Sequence, residues 1–257
     1  DIAIPSEYMI SKMMSERLLE KLDHSKIKGL ENIGKRFLNQ SFDPRNQYSI
    51  PYFWGTLGIV YNTELVKTAP KHWSDLWRSE YKNSIMMIDG AREVMGVGLN
   101  ALGYSLNSKN TKQLQEAVDK LYTLTPNIKA IVADEMKGYM IQNNAAIGVS
   151  FSGEARQMLD KNPKLRYVVP PEASNLWFDN IVIPKTVKNK KAAYQFINFM
   201  LRPENAYKNA LYVGYSTPNV PAKAMLPKEV QEDKAFYPDE ETLKHLEVYQ
   251  QLGAKWL

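Results

Sequence analysis

The hydrophobic positions of this chain follow two periodicities that alternate along the sequence. Short apolar runs predict buried strands, whereas apolar residues spaced three or four positions apart predict amphipathic helices. The predicted strands cover residues 2–4, 58–62, 84–88, 146–151, 166–169 and 176–183. Because strands and helices alternate, the pattern indicates an α/β architecture with largely parallel sheets.

The predicted helices have end signals as well as an apolar stripe. Ser6 is the expected N-cap of a first helix whose apolar positions extend to Leu22. Pro203 begins a later helix that Gly214 ends, because glycine readily takes the left-handed conformation of a helix C-terminus. Further helices are predicted around residues 114–121, 192–200 and 239–252.

Both ends of the sequence are abrupt. The chain begins with the apolar residues 2–4, which predict the middle of a buried strand, and it finishes on the apolar pair Trp256-Leu257. We therefore expect a fragment that has been trimmed at both ends. The 257 residues suffice for one large domain or two ordinary ones. No window holds 18 consecutive apolar residues, which is the length a membrane-spanning helix requires.

Composition excludes several classes of protein. Cysteine is absent, which excludes disulfide scaffolds, thiolate metal sites, iron–sulfur clusters and cysteine nucleophiles. The 33 Lys and Arg residues exceed the 28 Asp and Glu residues, and a net charge of +5 permits an anionic partner without requiring one. The 15 tyrosines and 5 tryptophans are more informative, because both side chains serve recognition well.

Several short motifs suggest other functions but lie in the wrong context. Residues 96–101 match the letters of a dinucleotide-binding loop, yet they lie beyond the turn that follows the strand, so helix packing explains them better. Residues 148–153 resemble a nucleophile elbow, but the second glycine comes one residue late. The three histidines are scattered, which disfavours a catalytic triad or a zinc site.

A small basic run occurs at Lys185, Lys188, Lys190 and Lys191. A solvated helix start explains this run better than a phosphate-binding role. The basic residues as a whole are spread along the chain rather than interleaved with the aromatic residues, so a nucleic-acid partner is not expected.

Aromatic and acidic side chains occur together near predicted strand ends. The candidates are Tyr8, Glu93, Phe151, Glu154, Trp177 and Asp179. Trp177 and Asp179 share one strand face, because side chains alternate with a period of two. Ligands of open α/β sheets collect outside the carboxyl ends of strands, and carboxylates with ring faces suit an organic cation. Each residue also has an ordinary structural explanation, so the hypothesis depends on their convergence.

Seven segments carry a resemblance to a known family: residues 4–8, 48–55, 73–77, 91–94, 196–203, 214–219 and 237–239. Over essentially its whole length the chain resembles the substrate-binding proteins of bacterial spermidine/putrescine ABC transporters. The resemblance implies a type II periplasmic-binding-protein-like α/β fold with a ligand cleft between two lobes. The first lobe would comprise residues 1–56 and 180–225, and the second would comprise residues 59–178 and 227–257. It also implies an upstream strand–helix–strand segment that is absent here.

The resemblance assigns ligand-binding residues by matched position. Asp179 would pair with an ammonium group near the hinge, and Trp177 would stack on the methylene chain. Glu93 would bind an amine from the second lobe, and Glu154 lies where putrescine binders can have an acid. The other implied contacts are Ser6, Tyr8, Phe151 and Tyr215.

Two positions depart from the family pattern. Gly90 stands where spermidine-binding relatives can have Asp, and Tyr249 stands near a position that can be Gln. The preference between spermidine and putrescine therefore stays open.

The function that follows is extracytoplasmic binding of spermidine or putrescine, with lobe closure and delivery to the permease subunits of an ABC transporter. The protein is expected to be a monomer in the periplasmic space or at the outer face of the cell membrane. We expect no cofactor, metal ion or nucleic acid, and contact with the membrane only through the permease or a lost N-terminal lipoprotein anchor.

The alternative function is that of a binding protein of the same fold for another small cationic or metal solute. An enzyme is disfavoured, because no nucleophile–base pair or cofactor loop is evident.

Overall fold

The computed structural model describes residues 1–253, which form two compact units. Unit 1 comprises Asp1–Gly55, Trp177–Asp233 and Val248–Gln251. Unit 2 comprises Thr56–Leu176, Lys234–Glu247 and residues 252–253. The lobes expected from the sequence stay a prediction, because compactness alone does not show that the units move as lobes. The apolar pair at the C-terminus of the sequence lies outside the described residues.

Helices and strands are mixed along the described chain, which confirms the α/β class. The α-helices are α1 (Glu7–Ser15), α2 (Ala91–Ala101), α3 (Thr111–Leu124), α4 (Glu135–Ile141), α5 (Ser152–Lys161), α6 (Lys190–Met200), α7 (Pro203–Val213), α8 (Val220–Met225), α9 (Lys228–Gln231) and α10 (Glu240–Lys244). The strands are β1 (Ser49–Asn62), β2 (Ile85–Ile88), β3 (Ile128–Val132), β4 (Ile147–Phe151), β5 (Leu165–Val168), β6 (Ser174–Val182) and β7 (Leu246–Glu247). Within residues 1–253, no helix combines the length and the apolar character that crossing a bilayer requires.

The sheet of unit 2 is mixed, so the expectation of largely parallel sheets is wrong. β2 pairs in parallel with β3 and β4, but β1 runs antiparallel to β4 and β5. Gly58 permits the close approach of β1 and β5. A Cβ atom at this position would lie 2.5 Å from the carbonyl oxygen of Val168 and 2.6 Å from the hydroxyl of Tyr167.

The N-terminal segment of unit 1 pairs with β6 through isolated bridges. Ala3 bridges Val182 and Ser6 bridges Asp179, both in antiparallel fashion. The predicted buried strand at residues 2–4 is wrong, since no continuous strand forms and Ile4 is 43% exposed.

α1 ends sooner than its apolar pattern predicts. Ser6 is its N-cap residue as expected, although the side chain makes no capping hydrogen bond. Arg17 takes a left-handed φ of +57°, and the Leu18 N–H donates to the carbonyl of Met13 at 2.9 Å. This Schellman arrangement ends the helix at Ser15 rather than at Leu22.

Other element ends follow the sequence in part. Gly214 has a φ of +83° and ends α7, which confirms that prediction. The final helix is wrong in length, because α10 has only 5 residues and Leu246 belongs to β7. β1 is longer than predicted and includes Pro51 and Gly55, which the sequence pattern treated as breaks.

The paired glycines of residues 96–101 lie inside α2 and serve helix packing. A Cβ atom at Gly98 would lie 2.9 Å from Leu121 Cγ and 3.0 Å from the carbonyl oxygen of Ala117, both in α3. The two helices therefore pack closely only because position 98 lacks a side chain. The structure confirms packing, rather than a cofactor loop, as the explanation of this motif.

This close packing predicts opposite effects for two helical glycines. We expect Gly98→Ala to lower the free energy of unfolding by about 1–3 kcal/mol, because the added methyl group overpacks the α2–α3 contact. Gly138 lies in α4, where a Cβ atom would meet nothing within 4 Å. Gly138→Ala should therefore raise the free energy of unfolding by about 0.5–1 kcal/mol. Urea denaturation of both variants measures the difference, and equal effects would contradict the packing role.

Candidate functional site

The alternation of side chains along β6 places Phe178 in the core of unit 1. Phe178 is 1% exposed, and its ring centroid lies 6.2 Å from that of Phe37 and 6.0 Å from that of Phe42. Its backbone N–H donates to the buried carboxylate of Glu7 at 3.0 Å. Because side chains alternate, Trp177 and Asp179 lie on the opposite face of the strand.

Four aromatic rings in unit 1 form a continuous series, which we call the aromatic cluster. Trp177 meets Tyr215 edge to face, with ring centroids 5.2 Å apart and an interplanar angle of 74°. Tyr215 in turn meets Phe53 at 5.5 Å and 88°, and Phe53 lies 4.2 Å from Tyr52. The two edge-to-face geometries, Trp177–Tyr215 and Tyr215–Phe53, are favourable for aromatic pairs. The rings therefore support one another in fixed orientations.

Asp179 brings a negative charge beside this cluster. Its side chain is half-buried, and its backbone bridges that of Ser6. Burial, and secondarily the charge of Asp179, raise the pKa of the Tyr52 hydroxyl above its ordinary value. Tyr52 therefore stays neutral at physiological pH. A carboxylate held against ring faces can attract an organic cation and cover its carbon chain.

Tyr8 occupies a different setting in the same unit. It lies in the first turn of α1 and is 42% exposed.

Tyr52, Phe53 and Glu7 were not among the site residues predicted from the sequence. The aromatic run around Tyr52 was a usable signal, whereas nothing in the sequence distinguishes Glu7 from a surface acid at a helix start.

Glu93 of unit 2 lies in the first turn of α2 and is partly buried. Burial raises the pKa of its carboxyl group, and a hydrogen bond from its own backbone N–H opposes this shift. The carboxyl group folds back over Gly90. A Cβ atom at position 90 would clash with Glu93 Oε2. The glycine at position 90 therefore makes room for the side chain of Glu93.

Phe151 and Glu154 lie close in sequence at the junction of β4 and α5. Both are half-buried. The hydroxyl of Ser152 accepts the Thr56 N–H at 3.1 Å, and the hydroxyls of Thr56 and Tyr167 lie 2.9 Å apart. Burial, with a smaller contribution from the charge of Glu154, raises the pKa of Tyr167. These buried hydrogen bonds hold the junction of β4 and α5 against β1 and β5.

The structure thus places the predicted residues in two sets. Ser6, Trp177, Asp179 and Tyr215 come together in unit 1, and Tyr8 lies in the first turn of α1, two residues after Ser6. In unit 2, Phe151 and Glu154 lie at the junction of β4 and α5, while Glu93 belongs to α2. As ligand contacts all eight stay predictions. Across residues 1–253, no group of three or more His, Asp and Glu side chains is arranged to hold a metal ion.

Comparison with known proteins identifies the family. Residues 1–238 match the family of bacterial extracellular solute-binding proteins. The spermidine/putrescine-binding periplasmic protein of Escherichia coli K12 is 38% identical over 257 residues, which cover 99% of this chain and 73% of that protein. The chain therefore belongs to the bacterial extracellular solute-binding protein family. This result confirms the predicted extracytoplasmic location and the prediction that the protein is not an enzyme.

Solved structures agree with this assignment. A spermidine/putrescine ABC transporter substrate-binding protein of Streptococcus pneumoniae is 75% identical, with a TM-score of 0.94 over 100% of this chain and 79% of that chain. A lipoprotein of Treponema pallidum is 27% identical, with a TM-score of 0.86 over 99% of this chain and 80% of that chain. These similarities confirm the predicted periplasmic-binding-protein-like fold.

The raised pKa of Glu93 predicts a pH-dependent effect on stability. Burial favours the protonated form, so the folded protein keeps this proton to a higher pH than the unfolded chain does. The free energy of unfolding should therefore fall as the pH rises through the folded-state pKa. We expect Glu93→Gln to gain stability relative to the unmodified protein between about pH 4 and pH 7.

Urea denaturation over this pH range measures the effect, with Glu204→Gln as the control. Glu204 is an exposed acid in the first turn of α7, so the control reproduces the loss of a helix N-terminal charge without the burial. An identical pH dependence in the two variants would show that burial of Glu93 has no energetic consequence.

Proposed function

We propose that the protein binds a polyamine outside the cytoplasm and delivers it to the permease of an ABC transporter. The observation that carries this proposal is the Trp177–Tyr215 pair beside the carboxylate of Asp179. The relatives are named as spermidine/putrescine-binding proteins, which supports the same chemical class of ligand.

The chemistry of the ligand matches this set of side chains. Asp179 would accept hydrogen bonds from an ammonium group, and such charge-assisted bonds are stronger than neutral ones. Each ring face that meets the cation would add about 0.5–2 kcal/mol. Trp177 would also cover the methylene chain, at about 0.8 kcal/mol for each buried CH₂ group. A diamine or triamine carries both features in one linear molecule.

The remaining predicted residues complete the proposal. Ser6, Tyr8 and Tyr215 would contribute further contacts from unit 1, and Glu93, Phe151 and Glu154 would contribute contacts from unit 2. An approaching ammonium group would favour the ionised form of Glu93 and lower its pKa from the raised value of the free protein. Carboxylates in both units would allow more than one ammonium group to be paired.

The transport role needs a conformational signal. We propose that the two units act as the lobes of a hinged binding protein, that ligand binding favours their closed arrangement, and that permease subunits recognise this arrangement. The protein would act as a monomer, and attachment to the membrane surface would occur through the permease or an N-terminal lipid anchor. Membership in an extracellular solute-binding family supports this role.

Removing one charge tests the proposed ammonium contact. Asp179→Asn keeps the shape of the side chain but removes its negative charge. We expect the affinity for spermidine and putrescine to fall by roughly 30-fold or more, since truncating one partner of a buried charge pair costs about 2–5 kcal/mol. Isothermal titration calorimetry on the same chain measures this loss.

The matched control is Asp134→Asn, because the Asp134 side chain is 94% exposed. This variant should bind both polyamines as the unmodified protein does. Unchanged affinity in Asp179→Asn would remove Asp179 from the site. No saturable heat with either polyamine at millimolar concentration would refute the proposed function itself.

A further inference from the structure

Unit 1 contains an open surface cavity of about 330 Å³ whose three basic residues are exposed to solvent. We call it the basic cavity, and it is lined by Met14, Arg17, Leu19, Lys21, Tyr48 and Lys185. None of these residues belongs to the proposed polyamine site. The volume falls within the range of small-molecule binding pockets.

The cavity walls come from segments that backbone hydrogen bonds hold together. The Lys185 N–H donates to the carbonyl of Leu18 at 2.8 Å, and the Leu22 N–H donates to the carbonyl of Gln47 at 2.7 Å. The segment that carries Arg17 and Lys21 is thus tied to the chain before β1 and to the chain after β6. The backbone positions of the three cations are therefore fixed before any ligand arrives.

Within residues 1–253, the cations of the basic cavity have no acidic partner. Glu20, the neighbour of Lys21 in sequence, binds Lys190 at 2.8 Å. In the part of the chain that the structure describes, no acid forms an ion pair with Arg17, Lys21 or Lys185. Like charges around one cavity repel one another, and a bound anion would relieve this repulsion.

The backbone at Arg17 adds an independent observation. Arg17 occupies the position after the C-cap of α1, where its φ of +57° would suit glycine. Of the other five non-glycine residues with positive φ in residues 1–253, one is Arg45 and four are asparagines, which tolerate this conformation: Asn39, Asn46, Asn83 and Asn143. Arginine is an unfavourable residue for this backbone, and strained residues often mark functional positions.

We propose that the basic cavity binds the phosphate group of a glycerophosphate-type anion. The guanidinium of Arg17 offers a planar fork that matches phosphate oxygens, and Lys21 and Lys185 add two ammonium charges. The Tyr48 hydroxyl is a further donor. Met14 and Leu19 provide an apolar wall for the carbon atoms of the ligand. This chemistry is shared by a free phosphate ester and by the headgroup of an anionic lipid.

Three lysines of the basic run identified in the sequence have different surroundings in the structure. Lys185 lines the basic cavity, whereas Lys190 is engaged by Glu20 and Lys191 is exposed at the start of α6. The phosphate-binding interpretation therefore applies to Lys185, and the helix-start interpretation applies to Lys190 and Lys191.

Arg17→Gly separates a binding role from a structural one. Glycine suits the left-handed backbone, so this variant should unfold at a higher urea concentration than the unmodified protein. It should nevertheless bind glycerol 3-phosphate at least tenfold more weakly in calorimetric titrations at low salt. Lys185→Gln should also weaken binding, whereas Lys191→Gln removes one exposed positive charge outside the cavity and should leave affinity unchanged.

Separate ligands distinguish the two sources of phosphate. Titrations with glycerol 3-phosphate and inorganic phosphate test the free anion, and sedimentation with phosphatidylglycerol or phosphatidylcholine vesicles tests the lipid headgroup. Arg17-dependent binding of glycerol 3-phosphate indicates a free ester, and Arg17-dependent binding of phosphatidylglycerol vesicles alone indicates a lipid. The proposal is overturned if none of these probes binds at millimolar concentration. It is also overturned if Lys191→Gln weakens binding as much as Arg17→Gly does.

Discussion

The burial of Phe178 is the constraint on which the candidate site depends. Its ring lies in the core of unit 1 with Phe37 and Phe42, and its N–H is held by the carboxylate of Glu7. A strand has a side-chain period of two, so this burial places Trp177 and Asp179 on the other face. A slip of one residue would put a carboxylate and an indole into the core and expose Phe178. Packing on one face of β6 thus determines chemistry on the other.

Much of the fold follows from local patterns in the sequence. The apolar runs that became β2, β4, β5 and β6 are short and bounded, and Gly214 ends α7 because its backbone is left-handed. Local pattern fails where a distant contact or an unusual backbone decides. α1 ends early because Arg17 takes a glycine-like conformation, which its residue type does not predict. The sheet of unit 2 is mixed because of the direction of β1, and pairing direction is not encoded in any single segment.

The candidate site was predictable from the sequence where it depends on a local pattern, and not where it depends on contacts between distant residues. The period of two relates Trp177 to Asp179 within one strand, so that pair could be identified from the sequence alone. The contact of Trp177 with Tyr215 joins residues far apart in the chain, and the resemblance to a family suggested both residues without their geometry. Glu7 could not be predicted, because its role depends on the backbone of Phe178, which is 171 residues away.

We propose that a local carboxylate and its rings, rather than the overall charge of the protein, select the ligand. The chain has a net charge of +5, yet the proposed ligand is a cation, and physiological salt screens charges over about 8 Å. Calorimetric titration with putrescine and with the uncharged 1,4-butanediol compares two ligands with the same carbon chain. We expect saturable binding of putrescine, with a Kd in the micromolar range or below, and no binding of the diol at millimolar concentration. Equal affinity for both ligands, or no binding of putrescine, would contradict it.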